Sequence, residues 1–316
     1  MEVTAVRPIK TGIIGCGWFG EAHARVYREI PGVELKSVAD LNIDRAKRLA
    51  SMYGTSFYKT AEDMLRNEEL DLVSIAVTPQ YLAKTAIEVA EHDVNILLEK
   101  PLATKMSDWK NLFSKIKKRD LIFVPGFIEL FNPAYRLMKE IVDSGELGDL
   151  FTLSSKRIGR FPKRSLKWEV GVTLDLGLHE LYAQTYLVGE KPVPISCFIS
   201  QMLNNENEDI SILILRYGST VGIIESNWLT PIGVRSVRVT ASDGSIWLNY
   251  MSQEVGIDKG EESRIKRPRW REPLLVELEY AVKHVRSGTK PEINEDFANI
   301  IMNTLFEALG MAKRIP

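Results

Sequence analysis

The glycines near the N-terminus are spaced so that backbone amides can bind an anion. Directly after an apolar run, and before a segment that predicts a helix, the chain reads Gly15-Cys16-Gly17-Trp18-Phe19-Gly20. Gly15 permits a tight turn, Gly17 lets the backbone approach a pyrophosphate, and Gly20 lets helix and strand pack closely. The helix N-terminus attracts the anion. The pattern indicates a dinucleotide site, with Trp18 and Phe19 as further binding candidates; an ordinary glycine-rich turn is the alternative.

An acidic residue follows this pattern at a spacing that bears on the choice of dinucleotide. Asp40 ends the second apolar run, 20 residues beyond Gly20. A carboxylate at this position can accept hydrogen bonds from the adenosine ribose hydroxyls, which favours NAD over NADP. Two alternatives remain: Asp40 caps a helix or a strand-end turn, or Arg45, one turn later, accommodates a 2'-phosphate.

A lysine at the end of an apolar run is the second candidate for chemistry. Glu99, Lys100 and Pro101 follow the fifth run, at the edge where ligands of open α/β sheets bind. The Lys100 ammonium can stabilise alkoxide character as hydride leaves, because a fixed cation beside developing negative charge lowers the barrier. The alternative is a solvated lysine paired with Glu99.

An aspartate and a histidine four residues apart are the third candidate. If their segment is helical, Asp175 and His179 lie on one face. An imidazole titrates near neutrality and can take a hydroxyl proton, while the carboxylate orients it or binds substrate. A buried structural histidine is the alternative, in a chain with only 4 histidines.

The first part of the chain predicts the sheet that would position the first two candidates. Short β-branched runs alternate with helical stretches, which is typical of βαβ units with a parallel sheet. The predicted strands are 9–15, 33–40, 55–58, 70–77, 95–100 and 121–127. Asn42 and Ser107 can cap two of the helices, and Pro79 suits the first turn of another.

After Asn132 the pattern changes to strands that follow one another closely. A helix at 133–143 comes first. The predicted strands are 150–160, 193–201, 210–217, 220–229, 234–240 and 244–250. Turn residues between neighbouring runs indicate a mainly antiparallel sheet. Helices are predicted at about 175–188, 273–287 and 295–313.

These elements predict an α/β protein of two domains. Residues 1–125 form a Rossmann domain with a doubly wound parallel sheet. Residues 126–316 form an α+β domain on a mainly antiparallel, open-faced sheet that binds substrate and makes oligomer contacts. Because no flexible linker separates them, we expect the domains to pack closely around a cleft, with the last helix packed back on the Rossmann domain.

The composition excludes several other classes of protein. The 316 residues are 45% hydrophobic and 26% charged, which is enough for real cores. The 41 basic and 42 acidic side chains nearly cancel, which argues against a nucleic-acid binder. No run approaches the roughly 20 apolar residues of a membrane helix. Cys16 and Cys197 are too few for a disulfide framework or a zinc cage. We expect a cytoplasmic protein that uses no metal.

The three candidates, in this order and separation, resemble the Gfo/Idh/MocA family of glucose-fructose oxidoreductases and inositol dehydrogenases. The resemblance covers nearly the whole chain. Its further marks are His23, Thr78-Pro79, Glu99-Lys100-Pro101-Leu102-Ala103, and Glu272-Pro273-Leu274 leading to Asp296. It implies further cofactor-binding residues at Thr78, Pro79, Glu99 and Lys100. It also implies a catalytic group of Lys100, Asp175 and His179.

Other stretches resemble the branch of this family that includes UDP-N-acetylglucosamine 3-dehydrogenases. They are 126–133, 157–162 and Val170-Gly171-Val172. Leu130 departs from that branch, which commonly has arginine there. Arg157, Arg160 and Lys163, with Arg164, can gather around a diphosphate as substrate-binding residues, because arginine binds phosphate by forked hydrogen bonding. A solvated strand edge is the alternative.

Two other features are assigned no catalytic role. The basic run 266–271 mixes arginine with an aromatic residue, as in nucleic-acid sites. We interpret this run as an exposed loop or an oligomer edge. Cys16 lies at a helix N-terminus, where a thiol can become acidic, yet it has no evident base beside it. We interpret Cys16 as a small packing residue.

The sequence therefore predicts an NAD-dependent oxidoreductase of a secondary alcohol on a sugar, of the UDP-N-acetylhexosamine type. His179 would accept the hydroxyl proton, Lys100 would stabilise the oxyanion and Asp175 would orient the pair. The alternatives are a dehydrogenase of a free sugar or inositol, and a cofactor-binding regulator without catalysis. An exposed sheet face predicts a homodimer or homotetramer.

Overall fold

The computed structural model of the protein describes residues 7–160, 170–203 and 206–315. These residues divide into two units. The first contains 7–126 together with 274–298, and the second contains the described residues of 127–273 together with 299–315. Lys163 and Arg164, two of the predicted diphosphate ligands, lie outside the described residues.

A six-stranded parallel sheet forms the centre of the first unit. Its strands are β1 (Ile9–Ile14), β2 (Val33–Ala39), β3 (Ser56–Tyr58), β4 (Leu72–Ile75), β5 (Asn95–Glu99) and β6 (Phe123–Gly126). The helices between them are α1 (Trp18–Glu29), α2 (Ile43–Tyr53), α3 (Ala61–Asn67), α4 (Pro79–Glu91) and α5 (Met106–Lys117). The strand order is β3-β2-β1-β4-β5-β6 with parallel pairing throughout. This is the Rossmann order, which confirms the predicted fold of this part.

Local chemistry explains where these helices begin. The Asn42 side chain accepts hydrogen bonds from the amides of Asp44 and Arg45, so the predicted cap of α2 is confirmed. The predicted cap at Ser107 is wrong, since Lys105 occupies the N-cap position of α5. Lys105 has extended backbone, and its carbonyl accepts the amide of Trp109 at 3.1 Å, so the helix already includes Ser107.

A nine-stranded mixed sheet forms the second unit. Its strands are β7 (Leu150–Arg160), β8 (Val193–Ser200), β9 (Ile210–Tyr217), β10 (Thr220–Asn227), β11 (Leu229–Ala241), β12 (Gly244–Asn249), β13 (Glu254–Lys259), β14 (Glu262–Lys266) and β15 (Lys313–Arg314). The order is β14-β13-β12-β11-β7-β10-β9-β8-β15. Pairing is antiparallel except for the parallel pairs β7 with β10 and β8 with β15. The mainly antiparallel α+β prediction is confirmed, although β13, β14 and β15 were not predicted.

One face of this sheet is covered and the other is open. The unit's described helical elements before Val193 are a 3-10 turn (Ile128–Phe131), α6 (Pro133–Asp143), a π-type turn (Thr173–Gly177) and α7 (Leu178–Val188). Along β7, Leu153 and Ser155 are buried whereas Ser154 and Lys156 are exposed. This period of two is expected when one face of a sheet is covered and the other is open. The open-faced sheet is therefore confirmed.

The last two helices divide between the units. They are α8 (Pro273–Ser287) and α9 (Glu295–Gly310), and the first unit contains most of α8 but only the first residues of α9. Arg286 on α8 donates to the Gly32 carbonyl at 2.9 Å, and Lys117 pairs with Asp296 at 3.0 Å. Most of α8 and the first residues of α9 therefore belong to the Rossmann unit. Within the described ranges, every helix is too short or too polar to cross a membrane.

Candidate active site

The glycine turn has the geometry that a dinucleotide phosphate requires. Gly15 has φ of 99°, and a Cβ there would lie 2.5 Å from the Ala76 carbonyl oxygen. A Cβ on Gly20 would collide with the Gly15 carbonyl oxygen, whereas a Cβ on Gly17 would have no heavy atom within 4 Å. Gly15 and Gly20 are therefore needed for the tight turn and for close packing of α1. Gly17 lines open space where a phosphate can approach the backbone.

Helix α1 presents its N-terminus at this turn. Gly17 occupies the N-cap position and has no side chain that could cap the first amides. Trp18 is 71% exposed and stacks on Phe19, with 5.4 Å between ring centroids. The helix dipole and the first-turn amides favour an anion at this end. The turn thus fits the phosphates of a dinucleotide, with Trp18 and Phe19 beside them.

Asp40 is bound to the glycine turn at the end of β2. Its Oδ2 accepts the Cys16 amide at 2.8 Å, and its Oδ1 accepts the Asn42 amide at 2.8 Å. The half-buried carboxylate is thereby fixed beside the turn. Burial, reinforced by the charge of Asp40, raises the pKa of the Cys16 thiol to about 12. Cys16 is therefore protonated at neutral pH, as expected for a packing residue.

Two predicted cofactor residues follow β4. Thr78 is the N-cap residue of α4 and has extended backbone, and Pro79 occupies the first turn. The Thr78 carbonyl accepts the Tyr81 amide at 2.9 Å. The pair therefore lies at the carboxyl end of a parallel strand, the edge at which open α/β sheets bind ligands.

A buried histidine and glutamate support the backbone of Lys100. Glu99, only 6% exposed, ends β5, and its Oε1 lies 3.2 Å from Nε2 of the fully buried His23. Its Oε2 accepts the backbone amide of Lys100 at 3.3 Å. A Cβ on Gly126 would lie 2.9 Å from the Glu99 carboxyl carbon. Glu99 is thus enclosed and acts on Lys100 through the backbone, while Lys100 itself is half-buried.

Asp175 and His179 lie on one continuous helical segment of the second unit. Asp175 is in the π-type turn and His179 is in the first turn of α7. They are 8% and 7% exposed. The helical condition under which the two side chains share a face is met. A π-type turn inside a helix is frequently found at functional sites.

A tyrosine that the sequence motifs did not include contacts His179. The Tyr182 hydroxyl oxygen lies 2.7 Å from His179 Nδ1 and accepts the backbone amide of Glu129 at 3.2 Å. Tyr182 is fully buried. The spacing of three residues within a predicted helix was the available signal, because residues i and i+3 are neighbours on a helix surface.

Arg157, predicted to bind a diphosphate, is instead enclosed by carboxylates. It is 2% exposed, its Nε donates to Glu180 Oε1 at 2.8 Å, and its Nη2 donates to Glu129 Oε1 at 2.7 Å. These two charges raise the pKa of Arg157 in spite of burial. Burial raises the pKa of Glu180 to about 7, against the opposing effect of Arg157. This arrangement argues against a diphosphate-binding role for Arg157.

Arg160 lies on the surface at the end of β7. Its Nε donates to the Pro231 carbonyl at 2.7 Å.

In the parts of the chain that the structure describes, no cluster of three or more His, Cys, Asp or Glu side chains is arranged to hold a metal ion.

The fold and the glycine turn define the first unit as an NAD(P)-binding Rossmann domain. A family model described as "Oxidoreductase family, NAD-binding Rossmann fold" matches residues 9–127. A second, described as "GFO/IDH/MocA C-terminal domain", matches residues 135–247. The chain belongs to the GFO/IDH/MocA oxidoreductase family, which confirms the family that its motifs predict.

Relatives in this family differ in their substrates. A myo-inositol 2-dehydrogenase of Thermotoga maritima is 23% identical over 303 residues, covering 90% of this chain and 91% of that protein. A UDP-N-acetylglucosamine 3-dehydrogenase of Acidithiobacillus ferrooxidans is 30% identical over 250 residues, covering 79% and 76%. The structure of a 3-ketoreductase from Actinomadura kijaniata, in complex with NADP and TDP-benzene, matches with a TM-score of 0.89 at 18% identity, covering 98% of this chain and 99% of that chain. That structural likeness shows a shared fold.

Proposed function

We propose that the protein oxidises a secondary alcohol on a nucleotide sugar of the UDP-N-acetylhexosamine type, with NAD as cofactor. The observation that carries the redox chemistry is the glycine turn, whose three glycines have the steric environments that dinucleotide binding needs. The observation that favours a nucleotide sugar is the relative with 30% identity, which is named for UDP-N-acetylglucosamine. In this proposal, 1–125 bind the cofactor and 126–316 bind the substrate.

The residues proposed to hold the cofactor all belong to the first unit. They are Gly15, Gly17, Trp18, Phe19, Gly20, Asp40, Thr78, Pro79, Glu99 and Lys100. When bound, the nicotinamide supplies a two-electron hydride acceptor. Glu99 acts less directly than the others, because it is buried and supports the Lys100 backbone.

Three side chains are proposed to manage the proton and the charge on the substrate oxygen. His179 takes the hydroxyl proton as general base, and Asp175 orients His179 and Lys100. The Lys100 ammonium stabilises the negative charge that develops on the oxygen as the carbon–hydrogen bond breaks. Substrate binding by Arg160 and Lys163 remains part of the proposal. For Arg157, the two carboxylates that enclose it argue against that role.

NAD is proposed over NADP because of the fixed carboxylate of Asp40. Both of its oxygens are held by backbone amides, so its negative charge would repel a 2'-phosphate. The competing hypothesis is NADP, which is present in the Actinomadura kijaniata structure.

A second candidate function is a dehydrogenase of inositol or a free sugar, which the Thermotoga maritima relative favours. One assay distinguishes this function from the proposed one. Purified protein is incubated with NAD and, in turn, UDP-N-acetylglucosamine, myo-inositol and free hexoses. Formation of reduced nicotinamide is followed by absorbance. We expect reduction with the UDP-sugar. Reduction with inositol alone would favour the second candidate, and no reduction with any polyol despite tight NAD binding would favour a regulatory protein.

The proposal includes a homodimer or homotetramer in the cytoplasm. On the open sheet face, Val221 and Ile223 are each 39% exposed, and an apolar face of this kind is commonly covered by another subunit. Cys16 and Cys197 are both buried free thiols, in keeping with a reducing compartment. Light scattering coupled to size exclusion would measure the subunit number, and a monomeric mass would contradict the proposed assembly.

A further inference from the structure

We propose that Tyr182 is a positioning residue for His179. Its hydroxyl oxygen holds the imidazole ring in place and selects the tautomer in which Nδ1 carries the hydrogen and Nε2 carries the lone pair. This inference rests on the proposed function, in which His179 accepts the substrate proton.

The contact between the two side chains is short and buried. The Tyr182 hydroxyl oxygen lies 2.7 Å from His179 Nδ1, within the range of a good hydrogen bond. Tyr182 is fully buried and His179 is 7% exposed. The rings meet edge to face, with 5.6 Å between centroids. Water therefore competes little for this bond, and the imidazole has one preferred orientation.

Tyr182 is itself fixed from a second element. The backbone amide of Glu129, in the 3-10 turn, donates to the hydroxyl oxygen at 3.2 Å. The Phe127 ring stacks on the Tyr182 ring, with 4.3 Å between centroids and 19° between planes. The hydroxyl is thus held between a backbone donor and the histidine, and its ring cannot rotate away without losing both contacts.

The 3-10 turn is in turn held by a buried ion network. Arg157 on β7 binds Glu129 and also Glu180, the neighbour of His179 on α7. A second cation joins this network, since Arg235 Nη1 lies 3.9 Å from Glu129 Oε1. The charged groups near the His179–Tyr182 pair are Asp175 and Glu180 on the same helical segment, Glu129 on the 3-10 turn, Arg157 on β7 and Arg235 on β11. The network therefore links the 3-10 turn that contacts Tyr182 to the helix that carries His179.

The hydrogen-bonding capacity of the two groups allows the tautomer that the proposed general base requires. A phenol oxygen has two lone pairs, and a backbone amide always donates. The second lone pair can accept Nδ1–H, which leaves Nε2 as the basic nitrogen that a general base needs. In the opposite arrangement Tyr182 would donate to Nδ1, and neutral His179 would carry its hydrogen on Nε2.

The test measures the tautomer directly, without substrate. Protein labelled with ¹⁵N-histidine is examined by NMR near neutral pH, where the nitrogen shifts distinguish Nδ1–H from Nε2–H. We expect neutral His179 to be the Nδ1–H tautomer in the unmodified protein, and Tyr182→Phe to abolish that preference. An Nε2–H tautomer in the unmodified protein would overturn the inference even if the variant did not fold.

Tyr135→Phe is the matched control. Tyr135 is also fully buried, and its hydroxyl donates to the Ala183 carbonyl on α7 at 2.6 Å. Tyr135→Phe removes a comparable buried hydroxyl contact from the same helix, so it should lower stability but leave the His179 tautomer unchanged. An equal change of tautomer in both variants would show a general structural effect and would contradict the inference.

Kinetics supply an independent readout if the protein reduces NAD. Tyr182→Phe should lower kcat by about 10-fold or more while KM for the sugar and the Kd for NAD change little, because proton transfer and not binding is affected. An unchanged kcat would overturn the inference. If no sugar is oxidised, the proposed function fails, and the NMR result still decides whether Tyr182 sets the tautomer.

Discussion

At the scale of single residues, Lys100 is the sharpest test of the proposed chemistry. Lys100→Met should leave the Kd for NAD largely intact, because the glycine turn and Asp40 supply most of the proposed cofactor contacts. It should lower turnover by about 100-fold or more, because the fixed cation beside the developing oxyanion is lost. Lys105→Met, at an exposed lysine of the same unit, is the control and should be nearly neutral. Steady-state NAD reduction measures both. Near-normal turnover in Lys100→Met would remove this residue from the mechanism.

Asp40 gives a second prediction, on cofactor choice. Asp40→Asn keeps the shape of the side chain, and its amide oxygen can still accept one of the two backbone amides. Loss of the negative charge should lower KM for NADP relative to NAD by about 10-fold. Asp44→Asn, an exposed neighbour, is the control. The ratio of kcat/KM for the two cofactors is the measurement, and an unchanged ratio would show that Asp40 does not select the cofactor.

The residues of the site differ in how far sequence could predict them. The shared helical segment of Asp175 and His179 could be predicted because their spacing is local. The enclosure of Arg157 could not be predicted, because its partners are 28 and 23 residues away and a linear pattern of neighbouring arginines cannot show that two carboxylates enclose one of them. The three-residue spacing of His179 and Tyr182 is a local signal, but the contact between Tyr182 and the Glu129 amide could not be predicted, because that amide reaches it only in the folded unit.

At the scale of elements, two glycines of the turn before α1 should have different effects, one on the stability of the fold and the other on NAD binding. Gly20→Ala would bring a Cβ against the Gly15 carbonyl, and should lower the free energy of unfolding by about 1 to 3 kcal/mol. Gly17→Ala has open space, so its stability should be almost unchanged, but NAD should bind about 10-fold more weakly. Urea unfolding and NAD titration measure the two effects. Equal destabilisation by both substitutions would be inconsistent with this geometry.

Strands and helices were predictable where burial leaves a pattern. The parallel strands of the first unit are buried on successive residues, as in β4, and stand out as apolar runs. Strand β14 was missed because all five of its residues are exposed, so no alternation of apolar residues marks it. Strand β15 has only two residues and pairs in parallel with β8, a contact that no local signal indicates.

At the scale of the whole molecule, the buried carboxylates should make stability depend on pH. The pKa of Glu180 is raised in the folded state from 4.5 to about 7, so between these values the folded protein holds a proton that the unfolded chain releases. The stabilisation is fully present below pH 4.5 and is lost as the pH rises through 7. Relative to Glu180→Gln, which cannot titrate, the unmodified protein should lose about 1 to 3 kcal/mol between about pH 5 and about pH 7.5.

Urea unfolding of both proteins at the two pH values tests this prediction. The amide side chain in Glu180→Gln keeps an oxygen for the Arg157 guanidinium, so the variant isolates the ionisation from the contact. A stability difference that stays constant, or that grows in favour of the unmodified protein as pH rises, would contradict the raised pKa of Glu180.

The chain leaves the first unit after 126 and contributes 274–298 to it much later. Leu278, Ala281 and Val282 of this returning segment are buried. During synthesis on the ribosome, the nucleotide-binding half must therefore wait for nearly all of the polypeptide before its surface is complete, although N-terminal domains generally fold first. A fragment that ends at residue 126 would lack the returning segment, so the apolar surface that this segment covers would be exposed. We expect chaperones to bind that surface.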